Sequence, residues 1–346
     1  MKNILYIGEK PLNNNHAGNK ARMDIDRILQ NRYHEPYVGL VAKELKSIKE
    51  KIKFLLSINS LKLLFKIELT NSKTLILQYP NYYNRILNKA LTDMAKNNNT
   101  ILFVHDVDAL RGFENTTMVK AVAELNSSCV LIIHNEKMAN ALRNYGIKVP
   151  MVELELFDYL LDYLPNNSRN IGKEIAFAGN LEKSEFLKEK EIENLDFVFN
   201  LYGPNFDQAM IKWNNIRYKG SFSPNEIPYK IEGSFGLIWD GTTIDTCDGP
   251  FGNYTRYNNP HKLSLYIAAA LPVIVWKESA ISGFVDKYNI GFSVNSLHDI
   301  DKHIEVLSDN TYNTYIENIK KLQEKVCNGY FTNRALDEVE RLLKNE

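Results

Sequence analysis

The residues with the most chemistry to offer are Asn258-Asn259-Pro260-His261-Lys262, running on into Leu263-Ser264-Leu265. Read as a helix start, Asn259 is the N-cap and Pro260 takes the first helical position, where its missing N–H has no partner to lose. His261 and Lys262 then fall in the first turn. That is the wrong end for positive charge, because a helix N-terminus is itself positive and a cation there loses roughly 0.3–1 kcal/mol. A local conflict of this kind often marks a functional site. A bound anion would resolve it, using the free N–H groups as donors. A Lys262 that bends away into water would resolve it too, and this turn alone does not choose between them.

The same anomaly occurs twice more. After the apolar run Ile4–Ile7, a polar loop ends in His16-Ala17-Gly18, and Asn19-Lys20-Ala21-Arg22 opens a helical stretch. Gly18 would let backbone approach a ligand closely. After Glu174–Ala178 comes Gly179-Asn180-Leu181-Glu182-Lys183, a turn with a lysine just beyond it. Each alone reads equally well as a turn with exposed bases. Three together point to a pyrophosphate bridged between two domains.

His105 and Asp106 end the apolar strand Ile101–Val104. A carboxylate or imidazole at a strand end could take the proton from an attacking hydroxyl. The competing reading is that Asp106 caps the next turn. Other chemistries lack their residues: there is no GxGxxG, no GxxxxGK[ST], no HExxH and no Cys/His cluster. Asp106-Val107-Asp108 matches a short acid-x-acid metal pattern, and so does Asp24-Ile25-Asp26. Neither is taken as a metal site.

These residues need elements to position them. In the first half, strands Ile4–Ile7, Thr74–Gln78, Thr100–His105 and Cys129–His134 alternate with helical stretches such as Asn19–Leu29, Asn84–Ala95 and Lys137–Tyr145, and Val152–Leu156 could close the sheet. Unbroken apolar strands alternating with helices indicate a parallel sheet covered on both faces. Pro165–Asn170 reads as a linker, after which strands at Glu174–Ala178, Asp196–Tyr202, Phe235–Trp239, Pro272–Trp276 and Gly291–Val294 repeat the pattern. The expectation is an α/β protein of two Rossmann-like, doubly wound domains, 1–160 and 171–324, facing across a cleft. A C-terminal helix, about 325–346, is expected to pack back on the first domain. Ligands of such sheets bind outside the carboxyl ends of the strands.

At 346 residues with 44% hydrophobic content, the chain has enough apolar material for two cores. Lys+Arg and Asp+Glu are both 42, a balance that speaks against non-specific nucleic-acid binding. Cys129, Cys247 and Cys327 form no CxxC and read as reduced thiols of a cytoplasmic protein. The N-terminus lacks a secretory signal pattern, and no apolar run reaches the roughly 20 residues that span a bilayer. Lys43–Lys66 is lysine-rich with apolar residues at helical spacing. It reads as a solvated surface helix, with contact to the inner face of the membrane as the minority alternative.

The ordered set Phe103-Val104-His105-Asp106, Phe177–Lys183, Gly236-Leu237-Ile238-Trp239 and Pro260–Val275 resembles the bacterial GT-B glycosyltransferase family of serine-rich-repeat adhesin glucosyltransferases and beta-1,6-galactofuranosyltransferases. It spreads over most of the chain. The resemblance implies a UDP-sugar held between two domains, with no metal and no cofactor beyond the sugar nucleotide. It carries a phosphate or uridine role to Lys183 and to Pro260–Leu265, a donor contact to the His16–Gly18 loop, and an acceptor or base role to Asp106. Tyr202-Gly203 would line the nucleotide pocket. The acceptor would be a hydroxyl of a glycan or glycosylated protein, and homo-oligomers are within the family's range. Ala270 replaces the glycine usual before Leu271, and Cys247–Tyr257 has no counterpart we can place. The alternative from another class is a non-catalytic, glycan- or nucleotide-sugar-binding partner of a transferase.

Overall fold

The computed structural model describes residues 4–10, 17–34, 37–41, 47–49, 52, 74–80, 99–112 and 117–344. Two compact units emerge. Residues 1–14, 22–154 and 332–346 form the first, and 15–21 with 155–331 form the second.

The first unit is one parallel sheet of β1 (Ile4–Lys10), β2 (Tyr37–Val41), β3 (Thr74–Tyr79), β4 (Asn99–Val104), β5 (Val130–Ile133) and β6 (Met151–Glu153), in the order β2-β1-β3-β4-β5-β6. Leu75–Leu77, Ile101–Val104 and Val130–Ile133 are buried throughout, as strands covered on both faces must be. Its helices are α1 (Ala17–Tyr33) from Arg22 onward, α2 (Met118–Leu125) and α3 (Glu136–Asn144). The side chains of Thr117 and Asn135 cap the last two by accepting from Lys120 N and Met138 N. The expected helix Asn84–Ala95 and nearly all of Lys43–Lys66 lie outside the described residues.

The second unit holds β7 (Glu174–Ala178), β8 (Val198–Tyr202), β9 (Ile216–Gly220), β10 (Phe235–Ile238), β11 (Val273–Trp276) and β12 (Gly291–Val294), in the all-parallel order β12-β11-β10-β7-β8-β9. Its helices are α4 (Ile227–Lys230), α5 (Gly249–Tyr254), α6 (His261–Ala268), α7 (Ser282–Tyr288), α8 (Ile300–Val306) and α9 (Asp309–Cys327). A core of aromatics including Phe177, Phe186, Phe199, Phe235 and Trp239 fills the space beneath the sheet. The order reverses between β7 and β10, the point where an open α/β sheet leaves a crevice at its carboxyl edge.

Sequence pattern misses β2 and β9. Strand β9 lies at the sheet edge, where only Ile216 is buried and Arg217 pairs instead with Glu174, so no apolar run announces it. The Pro165–Asn170 stretch, expected as a linker, lies inside the second unit. Asn167 donates to Pro228 O (3.1 Å), and Arg169 donates to Ile231 O (2.9 Å) and Ala269 O (3.0 Å).

The last helix, α10 (Tyr330–Leu342), contributes Ala335, Leu336 and Val339 to buried positions. Within the first unit Arg32 pairs with its Asp337 (2.6 Å) and Glu340 (3.0 Å). Arg334 donates to Glu153 O and Leu154 O at the end of β6. No helix among the described residues is long and apolar enough to cross a membrane.

Candidate functional site

At the β7/β10 crevice of the second unit, two glycines allow close approach. Gly203, at φ +139°, lies where a Cβ would stand 1.8 Å from Gly179 O, so the loops after β7 and β8 can touch. Gly236 leaves the space that the Tyr266 ring fills; a Cβ there would meet the ring at 2.5 Å. The Tyr266 hydroxyl accepts from Ala178 N (3.0 Å) and donates to Leu237 O (3.1 Å). Helix α6 is thereby tied to both strands of the crevice, with its first turn at their carboxyl ends.

That first turn begins one residue later than the sequence predicts. Pro260 is the N-cap and no side chain caps the helix. Asn259, expected as the cap, donates instead to Glu155 O (2.9 Å), and Ser264 donates to Phe157 O (2.6 Å). These bonds hold the 155–159 segment along α6. Tyr159 there stacks on the His261 ring with centroids 5.0 Å apart. Burial, reinforced by the nearby Lys20 ammonium, pushes His261 down to about 4, so its ring is neutral near pH 7. Its Nε2 is buried and has no hydrogen-bond partner among the described residues. Lys20 itself is buried and donates to Leu160 O at 2.7 Å.

Lys262 does not bend into water, nor does it stand free. Its Nζ pairs with Asp240 Oδ1 at 2.5 Å and lies 4.6 Å from the Phe177 ring centroid. Its Cε packs 3.3 Å from where a Gly179 Cβ would be. The side chain thus spans the crevice, from the loop after β7 to the residue just beyond β10.

Beside it opens a cavity of about 320 Å³, a size suited to a small ligand. Seven residues singled out from sequence line it: Gly179, Asn180, Tyr202, Gly203, His261, Lys262 and Leu265. Tyr159, Phe222 and Ile227 add apolar walls that sequence spacing does not reveal. Five others within 155–331 are absent from the wall: Asn259, Pro260, Leu263, Ser264 and Lys183. Leu263 and Ser264 are fully buried in the packing of α6. Lys183 ends a short 3-10 turn as an exposed side chain, because Asn180 turns the chain outward by accepting from Glu182 N.

In the first unit, His105 Nε2 lies 2.6 Å from Gln78 Oε1. The Gln78 amide donates to Arg22 O (3.1 Å) and Asp26 Oδ1 (2.7 Å), so its oxygen faces the ring and His105 Nε2 is the donor. Asp106 forms a close ion pair with Arg111, which also binds Asp108 (2.9 Å). Both acids of the Asp106-Val107-Asp108 pattern are therefore held by one guanidinium. Burial raises the Asp106 carboxyl above its ordinary range, against the lowering pull of Arg111. Ala17 and Gly18 open α1, and His16 lies outside the described residues.

A family model described as the N-terminal domain of glucosyltransferase 3-like proteins matches residues 6–156, and the corresponding C-terminal domain matches residues 175–339. The chain belongs to the glucosyltransferase 3-like family. The beta-1,6-galactofuranosyltransferase WbbI of Escherichia coli is 33% identical over 245 residues, covering 68% of this chain and 69% of that one. Glucosyltransferase 3 of Streptococcus gordonii is 26% identical over 75% of this chain and 77% of its own. Among solved structures, Anabaena HepE, crystallised with UDP and glucose, superposes with a TM-score of 0.61 at 11% identity, covering 99% of each chain. Sucrose-phosphate synthase of Thermosynechococcus elongatus gives 0.64 at 10% identity, over 99% of this chain and 100% of its own. The fold is the GT-B plan of two Rossmann-like units.

Within this family frame, Asp240 and Arg111 are the residues that reasoning from sequence alone passes over. Asp240 had a signal, since it directly follows the strand Gly236–Trp239 at the edge where ligands bind. Arg111 had none beyond lying five residues after Asp106.

Proposed function

We propose that this glycosyltransferase moves a hexosyl group, glucose or galactofuranose, from its UDP-sugar to a hydroxyl of a glycan or glycosylated protein. The observation that carries the reading is the cavity beside the first turn of α6. There a lysine spans the switch-point crevice next to apolar walls and a neutral histidine. The walls fit a base and ribose, and Lys262 with the N-terminus of α6, which no side chain caps, fits the diphosphate. UDP must leave as an anion, so a cation fixed at that place stabilises the transition state. In the first unit Asp106 is the base for the acceptor hydroxyl. Burial raises its carboxyl, which makes it a stronger proton acceptor than an ordinary aspartate. The choice of sugars rests on the names of the two curated relatives.

A panel of UDP-sugars, read by released UDP with and without glycan acceptors, tests this. Turnover is expected with UDP-glucose or UDP-galactofuranose. Absence of UDP release from every member would overturn the assignment.

A further inference from the structure

As a partner for Lys262 alone, Asp240 is a poor choice. A carboxylate beside a cation that must meet a diphosphate weakens the attraction for the incoming anion. Its Oδ1 is 2.5 Å from Lys262 Nζ. Its Oδ2 accepts no hydrogen bond among the described residues, and the side chain keeps 32% of its exposure. Asp240 also stands outside the cavity wall. Lys262 packs against Gly179 on the cavity side of the crevice and reaches Asp240 on the β10 side. The sequence of environments is therefore apolar cavity, cation, exposed carboxylate. A nucleoside diphosphate sugar has the matching order: a flat base, an anionic diphosphate and a neutral polyol.

We propose that Asp240 is a sugar-recognising residue of the donor site. Oδ1 holds Lys262 at the diphosphate, and Oδ2 accepts a hydrogen bond from a hydroxyl of the donor's hexose. The proposal rests on reading the cavity as the nucleotide site. Hydroxyl-to-carboxylate bonds are charge-assisted and short. A site built to bond a hydroxyl rejects an analogue lacking it far more strongly than an apolar pocket does.

The test compares the wild-type protein with Asp240→Asn, which keeps the shape and removes the charge. UDP affinity is measured by calorimetry. Turnover is measured with whichever of UDP-glucose and UDP-galactofuranose the wild type uses faster, and with the monodeoxy analogues of that sugar. UDP affinity should stay within about threefold of wild type, while kcat/KM for the intact sugar falls about 10- to 100-fold. At least one deoxy analogue that the wild type discriminates against should be used by the variant nearly as well as the parent sugar. Equal losses in UDP affinity and kcat/KM would overturn the proposal and leave Asp240 as a tether for Lys262. So would wild-type discrimination retained in the variant. Failure of the wild type to bind UDP would remove the nucleotide reading and the proposal with it.

Discussion

The carboxyl ends of the strands are finished differently in the two units. In the first, polar groups satisfy one another: Gln78 is shared by the His105 and Asp26 side chains and the Arg22 backbone carbonyl, and Arg111 holds both Asp106 and Asp108. In the second, the ends stay open around a cavity, with the Lys262–Asp240 ion pair across the crevice and a buried histidine nitrogen that has no hydrogen-bond partner among the described residues. Both units use the same parallel α/β architecture, so the sheet does not dictate the difference. Residue choice just beyond the strands does. Glycine at 179 and 203 keeps side chains out of the second crevice, whereas Gln78, His105 and Asp106 fill the ends in the first. A closed polar cluster suits a group that must be held in one geometry for proton transfer, and an open crevice suits a ligand that enters and leaves.

The comparison breaks most sharply at Asp106. Asp106→Asn should lower kcat roughly 100- to 10,000-fold while UDP affinity is kept. Near-normal turnover with a lowered Tm would reduce the first cluster to a structural role. For Lys262→Ala, turnover should drop roughly 100- to 1,000-fold with Tm unchanged; full activity would remove the diphosphate assignment. Next comes Gly203→Ala, which forces a methyl against Gly179 O at a positive φ. A destabilisation of about 2–3 kcal/mol in denaturant titration is expected, together with lost UDP binding.

The smallest effect concerns a feature that the two units have in common. Each buries a neutral histidine: His134 in the first and His261 in the second are pushed down to about 4, chiefly by burial. Because the folded values lie below the unfolded one of about 6.5, stability is fully present above pH 6.5. It is lost as pH falls toward 4, since only the unfolded chain then takes up the protons. Each histidine should contribute a slope of up to about 1.4 kcal/mol per pH unit in that window. His134→Gln or His261→Gln should flatten its share of the slope in urea titrations from pH 7 to 4.5.

Much of the fold was legible because it is built from apolar runs buried on both faces, such as Thr74–Gln78 and Glu174–Ala178. Strand β9 escaped because an edge strand needs little apolar surface. At the site, Gly179 was legible as a turn at a strand end and Lys262 as a cation in the first turn of a helix, whereas Gly203 was offered only by the family resemblance. The helix began at His261 and not at Pro260, because Asn259 was drawn into a bond with Glu155 O, a partner over a hundred residues away in sequence. The misplaced charge of Lys262 was visible from helix physics. Its relief by Asp240 was not, since that pair forms only when β10 and α6 meet. Lys183 looked equivalent to Lys262 in one dimension and is separated from it by a single outward turn.

The other proposals depend on the crevice of the second unit holding a diphosphate on Lys262. Calorimetric titration of UDP and of uridine into the wild-type protein and Lys262→Ala tests it most directly. The variant should lose UDP affinity by about 10- to 100-fold, as expected for a lost charge-assisted contact, while any uridine affinity is unchanged. Equal UDP affinity in the two proteins would contradict it.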